Sequence, residues 1–321
     1  MQQLVAELLQ GNRRAAARLI SLVENDDPIK RELLKDIYPR TGNAYVIGVT
    51  GAPGSGKSSL VDWLLKEMRK DGLTVGVIAV DPTSPFSGGA ILGDRIRMQD
   101  HALDQDIFIR SMGTRGSLGG LSRATREAIQ VLDAFGKDIV LIETVGVGQS
   151  EVDIVKTADT TLVVLTPAGG DSVQTIKAGI MEIADVFAVN KSDLPGADRM
   201  VTEINMMLDM KKNAAWRPPV IPTVSVKNEG IEELWKALQE HRQYIEKSGR
   251  LLEIRRVRVS RELTEQVEYL VKNRIWDQVK EKIELESLVE KIVHRQLDPY
   301  SAAAGLLEKI NFYGDDVEKG G

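Results

Sequence analysis

Eight residues, Gly51-Ala52-Pro53-Gly54-Ser55-Gly56-Lys57-Ser58, constrain this chain more than any other stretch. They match the phosphate-loop pattern G-x-x-x-x-G-K-[ST] at every position. The run AYVIGVT (44–50) precedes them and reads as a strand. The run SSLVDWLLKEMRK (58–70) follows and reads as a helix. A glycine-rich turn between a strand and a helix lets backbone N–H groups close around phosphate oxygens. The helix start adds partial positive charge. Gly54, Ser55, Gly56, Lys57, Ser58 and Ser59 are therefore the expected phosphate contacts. Lys57 reaches the β- and γ-phosphates, and the Ser58 hydroxyl can ligate Mg²⁺.

The texture beyond this loop fits a nucleotide-binding α/β fold. Further strand-like runs are Thr74–Val80, Ile107–Ser111, Asp138–Ile142, Thr161–Thr166, Val186–Val189 and Val220–Val224. Most are rich in β-branched residues with little alternation, as expected of strands covered on both faces. Helix-length segments separate them, which predicts an open, mostly parallel sheet flanked by helices. Ligands of such sheets sit at the C-terminal strand ends.

Two more motifs fall at those ends. DIVLIE (138–143) is an apolar strand closing on Glu143, a carboxylate able to hold Mg²⁺ or its water. Gly146, just beyond, can offer an N–H to a γ-phosphate. Asn190-Lys191-Ser192-Asp193 follows another strand and matches N-K-x-D. The Asp193 carboxylate can accept from both N1–H and the 2-amino group of guanine, and adenine has neither donor. Asn190 can support N7 and the loop, and the Lys191 stem can lie over the ring. Ser225-Val226-Lys227, after the last strand, can offer a backbone N–H to O6. The base is read as guanine, so the expected nucleotides are GTP and GDP.

Composition narrows the remaining classes. The chain has 321 residues, enough for about two domains. Lys+Arg 42 against Asp+Glu 47 gives −5, which argues against duplex DNA or an anionic membrane as main partner. With no cysteine, disulfides, thiolate zinc sites and cysteine nucleophiles drop out. The three histidines are far apart in sequence. No apolar run approaches the roughly 18 residues of a spanning helix, and the N-terminus has no targeting pattern. The expectation is a cytoplasmic protein without nucleic-acid or membrane partners.

Three segments are expected: a helical N-terminal extension over 1–42, a GTPase domain over 43–247, and a helical C-terminal region over 248–321. In the first, Asp27-Pro28 predicts a helix start. In the last, Leu263, Val267, Leu270 and Val271 mark one helix, Ile283, Leu288, Ile292 and Val293 another, and Asp298-Pro299 opens a third.

The stretch Asp81-Pro-Thr-Ser-Pro-Phe-Ser-Gly-Gly-Ala-Ile-Leu-Gly-Asp94-Arg-Ile-Arg97-Met98 is rich in Gly, Pro and Ser and carries two acids and two arginines. A loop of this length reads as a switch ordered by metal and γ-phosphate. With the phosphate loop, Glu143-Thr-Val-Gly-Val-Gly-Gln149-Ser-Glu151 and Asn190–Asp193, it resembles the MeaB / methylmalonic aciduria type A / ArgK family of P-loop GTPases. These are G-protein chaperones of adenosylcobalamin-dependent methylmalonyl-CoA mutase. The resemblance spans nearly the whole chain. It implies that Ser58, Asp81, Asp94 and Glu143 surround Mg²⁺, that Arg97 lies near the phosphates, and that Gly169–Lys177 is a second switch. Lys177 is a candidate for stabilising transition-state charge, and a solvated helix lysine would read the same way. Gln149 could orient water or serve its own loop. The resemblance also implies a homodimer formed through the C-terminal helices. Its partner would be methylmalonyl-CoA mutase or a sister B12-dependent acyl-CoA mutase. The alternatives are a metallochaperone-type GTPase, an ATP-dependent kinase of an amino-acid transport system, and a non-catalytic binding module.

Overall fold

In the computed structural model, the described residues are 2–81, 101, 103–113, 123–144, 154–167, 182–210, 215–282 and 285–308. They form two compact units, Met1–Ile254 and Arg255–Gly321.

The first unit is built on a seven-stranded sheet. Its strands are β1 (Tyr45–Gly51), β2 (Val75–Asp81), β3 (Ile107–Gly113), β4 (Ile139–Thr144), β5 (Thr160–Leu165), β6 (Val186–Asn190) and β7 (Val220–Thr223). They lie in the order β3-β2-β4-β1-β5-β6-β7, and every pairing is parallel. All the runs read from the sequence are strands, and the sheet is wholly rather than mostly parallel. Parallel neighbours need crossovers, and the crossovers place helices on both faces, so the strands must be apolar on both sides. Every residue of β1 is buried accordingly.

Alternate side chains feed opposite layers. On one face, Val46, Ile78, Val80, Val140 and Ile142 pack with Leu8, Leu19, Ile20, Leu33 and Ile37. Those last five come from α1 (Gln2–Leu9), α2 (Arg13–Glu24) and α3 (Lys30–Ile37). The N-terminal helices thus complete a core layer together with α5 (Arg123–Ala134). Farther along the sheet, α6 (Ala197–Met210) covers Val163, Phe187 and Val189. On the opposite face, α4 (Lys57–Lys70) and α7 (Ile231–Lys247) cover Ile47, Val49, Leu141, Leu162 and Val164.

Buried polar groups fix these layers. The Asp133 carboxylate accepts from the backbone N–H groups of Gly42, Asn43 and Ala44 at 2.5, 3.2 and 3.0 Å, steering the chain into β1. Lys30, 4% exposed, pairs with Asp26 at 2.7 Å and Glu127 at 2.6 Å, tying α3 to α5. Helix α3 begins at Lys30 rather than at Pro28. The Asp27 carboxylate instead accepts from Ile29 N–H at 3.0 Å, and this local turn delays the helix.

Helix α8 (Arg250–Lys282) starts in the first unit, where Leu251 and Ile254 pack on the core. The second unit holds its remainder with α9 (Leu285–Val293) and α10 (Pro299–Glu308). Asp298 caps α10, accepting from Tyr300 and Ser301 N–H at 2.9 and 3.0 Å. Among the described residues, no helix is long and apolar enough to cross a membrane.

Candidate nucleotide site

The C-terminal ends of β1, β4, β6 and β7 meet at one rim of the sheet. The register pairs Val49 with Glu143 and Asn190 with Thr223, so loop and motifs leave the sheet at matched depths. Gly51 and Gly56 each have positive φ, at 145° and 90°. A Cβ on Gly51 would lie 2.1 Å from Val164 O, and one on Gly56 would lie 2.2 Å from Asn190 Nδ2. Neither position accepts a side chain, which is the physical content of these two motif glycines.

The loop's polar groups form a cradle. The Lys57 ammonium donates to Gly51 O at 2.8 Å and Ala52 O at 3.1 Å, which holds the cation across the loop. Ser55 is buried, and its hydroxyl has no hydrogen-bond partner among the described residues. Such an atom is costly unless something else satisfies it. Gly56 occupies the N-cap of α4 without a side-chain cap, so the helix end faces the loop. The donor set fits a phosphate.

It also fits a hard cation. The Ser58 hydroxyl donates to Glu143 Oε1 at 2.6 Å, with both residues buried. A hydroxyl that gives its proton to a carboxylate keeps its lone pairs for a metal, and oxygen donors of this kind suit Mg²⁺. Behind them, Thr144 Oγ1 and Thr50 Oγ1 lie 3.0 Å apart, locking β4 to β1. Asp81 closes β2; its side chain and all of Asp94, Arg97, Gln149 and Lys177 lie outside the described residues.

On the base side, Asn190 is fully buried and hydrogen-bonds in four directions. Its Nδ2 donates to Ser55 O at 2.8 Å and Ser225 Oγ at 3.2 Å. Its Oδ1 accepts from Ser225 N at 3.1 Å and Thr223 Oγ1 at 3.3 Å. That uses its amide capacity within the protein, so Asn190 acts as the clasp joining phosphate loop, β6 and β7. Lys191, in the left-handed region at φ 59°, reaches back to Gly54 O at 2.9 Å. Asp193 lies 3.9 Å from Lys227 Nζ and keeps its side chain 36% exposed, so its carboxylate remains open to a ligand. Val226 stands on the open rim, 82% exposed. Ser59 is half-buried in the first turn of α4.

Two contributors were not legible as site residues. Ser192, the variable position of N-K-x-D, donates to Val189 O at 2.6 Å and accepts from Thr223 N at 3.1 Å, stapling β6 to β7. Trp63 of α4 donates its indole N–H to Ser225 O at 2.6 Å. A lone serine in a loop and a tryptophan in an apolar helix carry no local signal for these long-range bonds.

The model of the family described as "Methylmalonyl Co-A mutase-associated GTPase MeaB" matches residues 16–282. The chain belongs to that family. This MeaB-family GTPase is 54% identical over 323 residues to a relative from Pyrococcus abyssi, covering 99% of each chain. It is 37% identical to the GTPase ArgK of Escherichia coli over 281 residues, 85% of each chain. Among solved structures, a LAO/AO transport system kinase superposes with TM-score 0.71 at 28% identity, covering 96% of both chains. The family match takes in α3 and most of α2, from Ala16, in keeping with their place in the sheet core.

Proposed function

We propose that this GTPase is a nucleotide-driven switch that gates cofactor loading and protection of a B12-dependent methylmalonyl-CoA mutase, or a sister acyl-CoA mutase. The family description supports the mutase as partner. The observation that carries the switch reading is the Asn190 clasp. One side chain couples the phosphate loop to both base-side strands, so phosphates and base are held as one rigid unit.

The chain's own residues divide the work. Gly54, Ser55, Gly56, Ser58 and Ser59 wrap the phosphates with backbone N–H groups and hydroxyls, and Lys57 neutralises the β- and γ-oxygens. Ser58, Asp81, Asp94 and Glu143 hold Mg²⁺, which when bound supplies charge neutralisation of those oxygens. Arg97 and Lys177 stabilise charge that develops on the transferring phosphoryl group. Phosphoryl transfer depends mainly on positioning and electrostatics, and no general base is required. Lys191, Asp193, Val226 and Lys227 form the guanine face, supported by Asn190 and Ser225. Guanine selection by Asp193 argues against an ATP-dependent kinase. The absence of cysteine argues against a nickel- or zinc-inserting relative.

The second unit supports a homodimer. Leu263, Val267 and Val293 are all more than half exposed, and Val257, Val271 and Trp276 add to the uncovered apolar surface. A second copy is the natural cover for it. The reading is tested by mixing the chain with methylmalonyl-CoA mutase. GTP turnover and complex size should both respond to the partner; no response in either removes the mutase assignment.

A further inference from the structure

The phosphate loop is held by motif residues, but the loop after β7 is held both by Asn190 and by a residue outside every motif. Trp63 lies on α4, six positions after Lys57. Its indole N–H donates to the carbonyl of Ser225 at 2.6 Å. The ring itself is fixed. It packs against the core beneath α4 and α7, and the Lys66 ammonium sits 4.1 Å from its centroid. Lys66 is held in turn by Asp62 at 3.0 Å, and Asp62 meets His101 Nε2 at 2.9 Å.

A trans peptide is planar, and its C=O and N–H point in opposite directions. Fixing Ser225 O therefore fixes the direction of the Val226 N–H, away from Trp63. The neighbouring groups are also pinned. Ser225 N is bound to Asn190, Lys227 N to Val224 O at 2.9 Å, and the loop is closed by Val224 N to Glu229 O at 3.0 Å. Among the described residues, the Val226 N–H has no hydrogen-bond partner; Val226 is exposed, and the next residue, Lys227, lies 3.9 Å from Asp193. It is a donor held in place with nothing among the described residues to receive it.

We propose that Trp63 is a positioning residue for base recognition: by gripping Ser225 O it aims the Val226 N–H at the purine O6. This rests on reading the site as a guanine site. Helix α4 then links the two halves of the nucleotide, because its first turn carries Lys57 and Ser58 and its second turn orients the O6 donor.

The test measures dissociation constants of the full chain with Mg²⁺ for GDP, 6-thio-GDP and ADP. In 6-thio-GDP sulfur, a poor acceptor, replaces O6 while N1–H and the 2-amino group remain. Wild type should prefer GDP to 6-thio-GDP. Trp63→Phe keeps a ring and removes the N–H. It should weaken GDP roughly three- to tenfold, the worth of one neutral hydrogen bond, and leave 6-thio-GDP within about twofold, so that the preference collapses. A Trp63 that only packs the helix would lower both affinities by the same factor, and that result, or an unchanged preference, overturns the proposal. If Trp63→Phe does not fold, benzothienylalanine at position 63, with sulfur in place of the indole N–H, gives the same reading in an unchanged ring frame. If wild type does not distinguish GDP from ADP, the guanine reading itself fails. If it does and the sulfur comparison is unmoved, only the role of Trp63 falls.

Discussion

At the C-terminal rim of the sheet, the polar groups are oriented but not all are used up. Lys57 is held by its own loop's carbonyls, the Ser58 hydroxyl is oriented by Glu143, and Asp193 is left open beside Lys227. At the N-terminal rim of the same strands, the polar groups close on one another. Tyr45 O–H meets Thr160 Oγ1, Thr160 Oγ1 meets His241 Nδ1 at 2.8 Å, and His241 Nε2 faces Asp185 Oδ1 at 3.4 Å. Trp216 stacks on Tyr244 and donates its indole N–H to Asp185 O at 2.8 Å, and Arg250 binds the Tyr244 hydroxyl. Burial pushes the Tyr45 phenol up, lowers His241 to about 4 and raises Asp185 to about 6. At neutral pH that leaves a neutral imidazole whose Nε2–H serves an ionised Asp185 and whose Nδ1 accepts from Thr160. The second rim satisfies its polar groups internally, whereas the first is partly exposed and keeps the open Asp193 carboxylate and the unpartnered Ser55 hydroxyl.

Breaking the C-terminal rim gives the largest effects. Lys57→Ala should lower GTP turnover by about 100-fold or more, since a positioned charge on the transferring phosphoryl group is worth at least that. Steady-state phosphate release checks it, and unchanged turnover removes the site assignment. Asp193→Asn should reduce the preference for guanine over xanthine nucleotides by roughly 100-fold, because a buried or rim acceptor is exchanged for a donor. Competition binding with GDP and XDP decides this, and an unaltered ratio contradicts the guanine face.

The C-terminal helices sharpen the comparison in a different way. Their apolar surface is neither internally satisfied nor ligand-directed, so a Leu263→Glu, Val267→Glu double variant should convert a dimer to a monomer in sedimentation. GTP binding should stay within about twofold, because the substituted residues belong to the second unit and the nucleotide-site residues to the first, and sites without shared partners behave additively. A variant that remains dimeric places the interface elsewhere.

The closed rim should show the smallest effect, on stability alone. Asp185 has a raised folded pKa, so its contribution is present at low pH and is lost as pH rises from about 4 through about 6. His241 has a lowered folded pKa, so its contribution is present above about 6.5 and is lost as pH falls toward about 4. The two oppose each other in wild type. Asp185→Asn leaves the histidine's slope, and melting temperature should drop on acidification through that window. His241→Gln leaves the aspartate's slope, and the drop should shrink or reverse. Matching profiles for the two variants would show that the pair does not titrate as described.

Much of this was legible because it is local. The phosphate loop, the seven strands and the terminal carboxylate of β4 each follow from short patterns whose physics lies within a few residues. The clasp could be placed but not seen. Asn190 is in a motif, while its partners Ser55 and Ser225 are 135 and 35 positions away and meet it only through the strand order. Trp63 lies inside a run legible only as a helix, and His241 was one of three histidines far apart in sequence. The N-terminal helices read as an extension because amphipathicity shows that a face is buried but not against what; Leu8, Leu19 and Leu33 in fact share a core with Ile78 and Ile142. Asp27-Pro28 misled by two residues because the Asp27 side chain caps a turn before the helix proper.

Titration calorimetry of GDP and ADP into the full chain with Mg²⁺ tests the C-terminal rim most directly. The account predicts a saturable one-to-one heat for GDP and, for ADP, binding weaker by about 100-fold or more. Equal heats for the two bases, or none for either with folded protein, would contradict it.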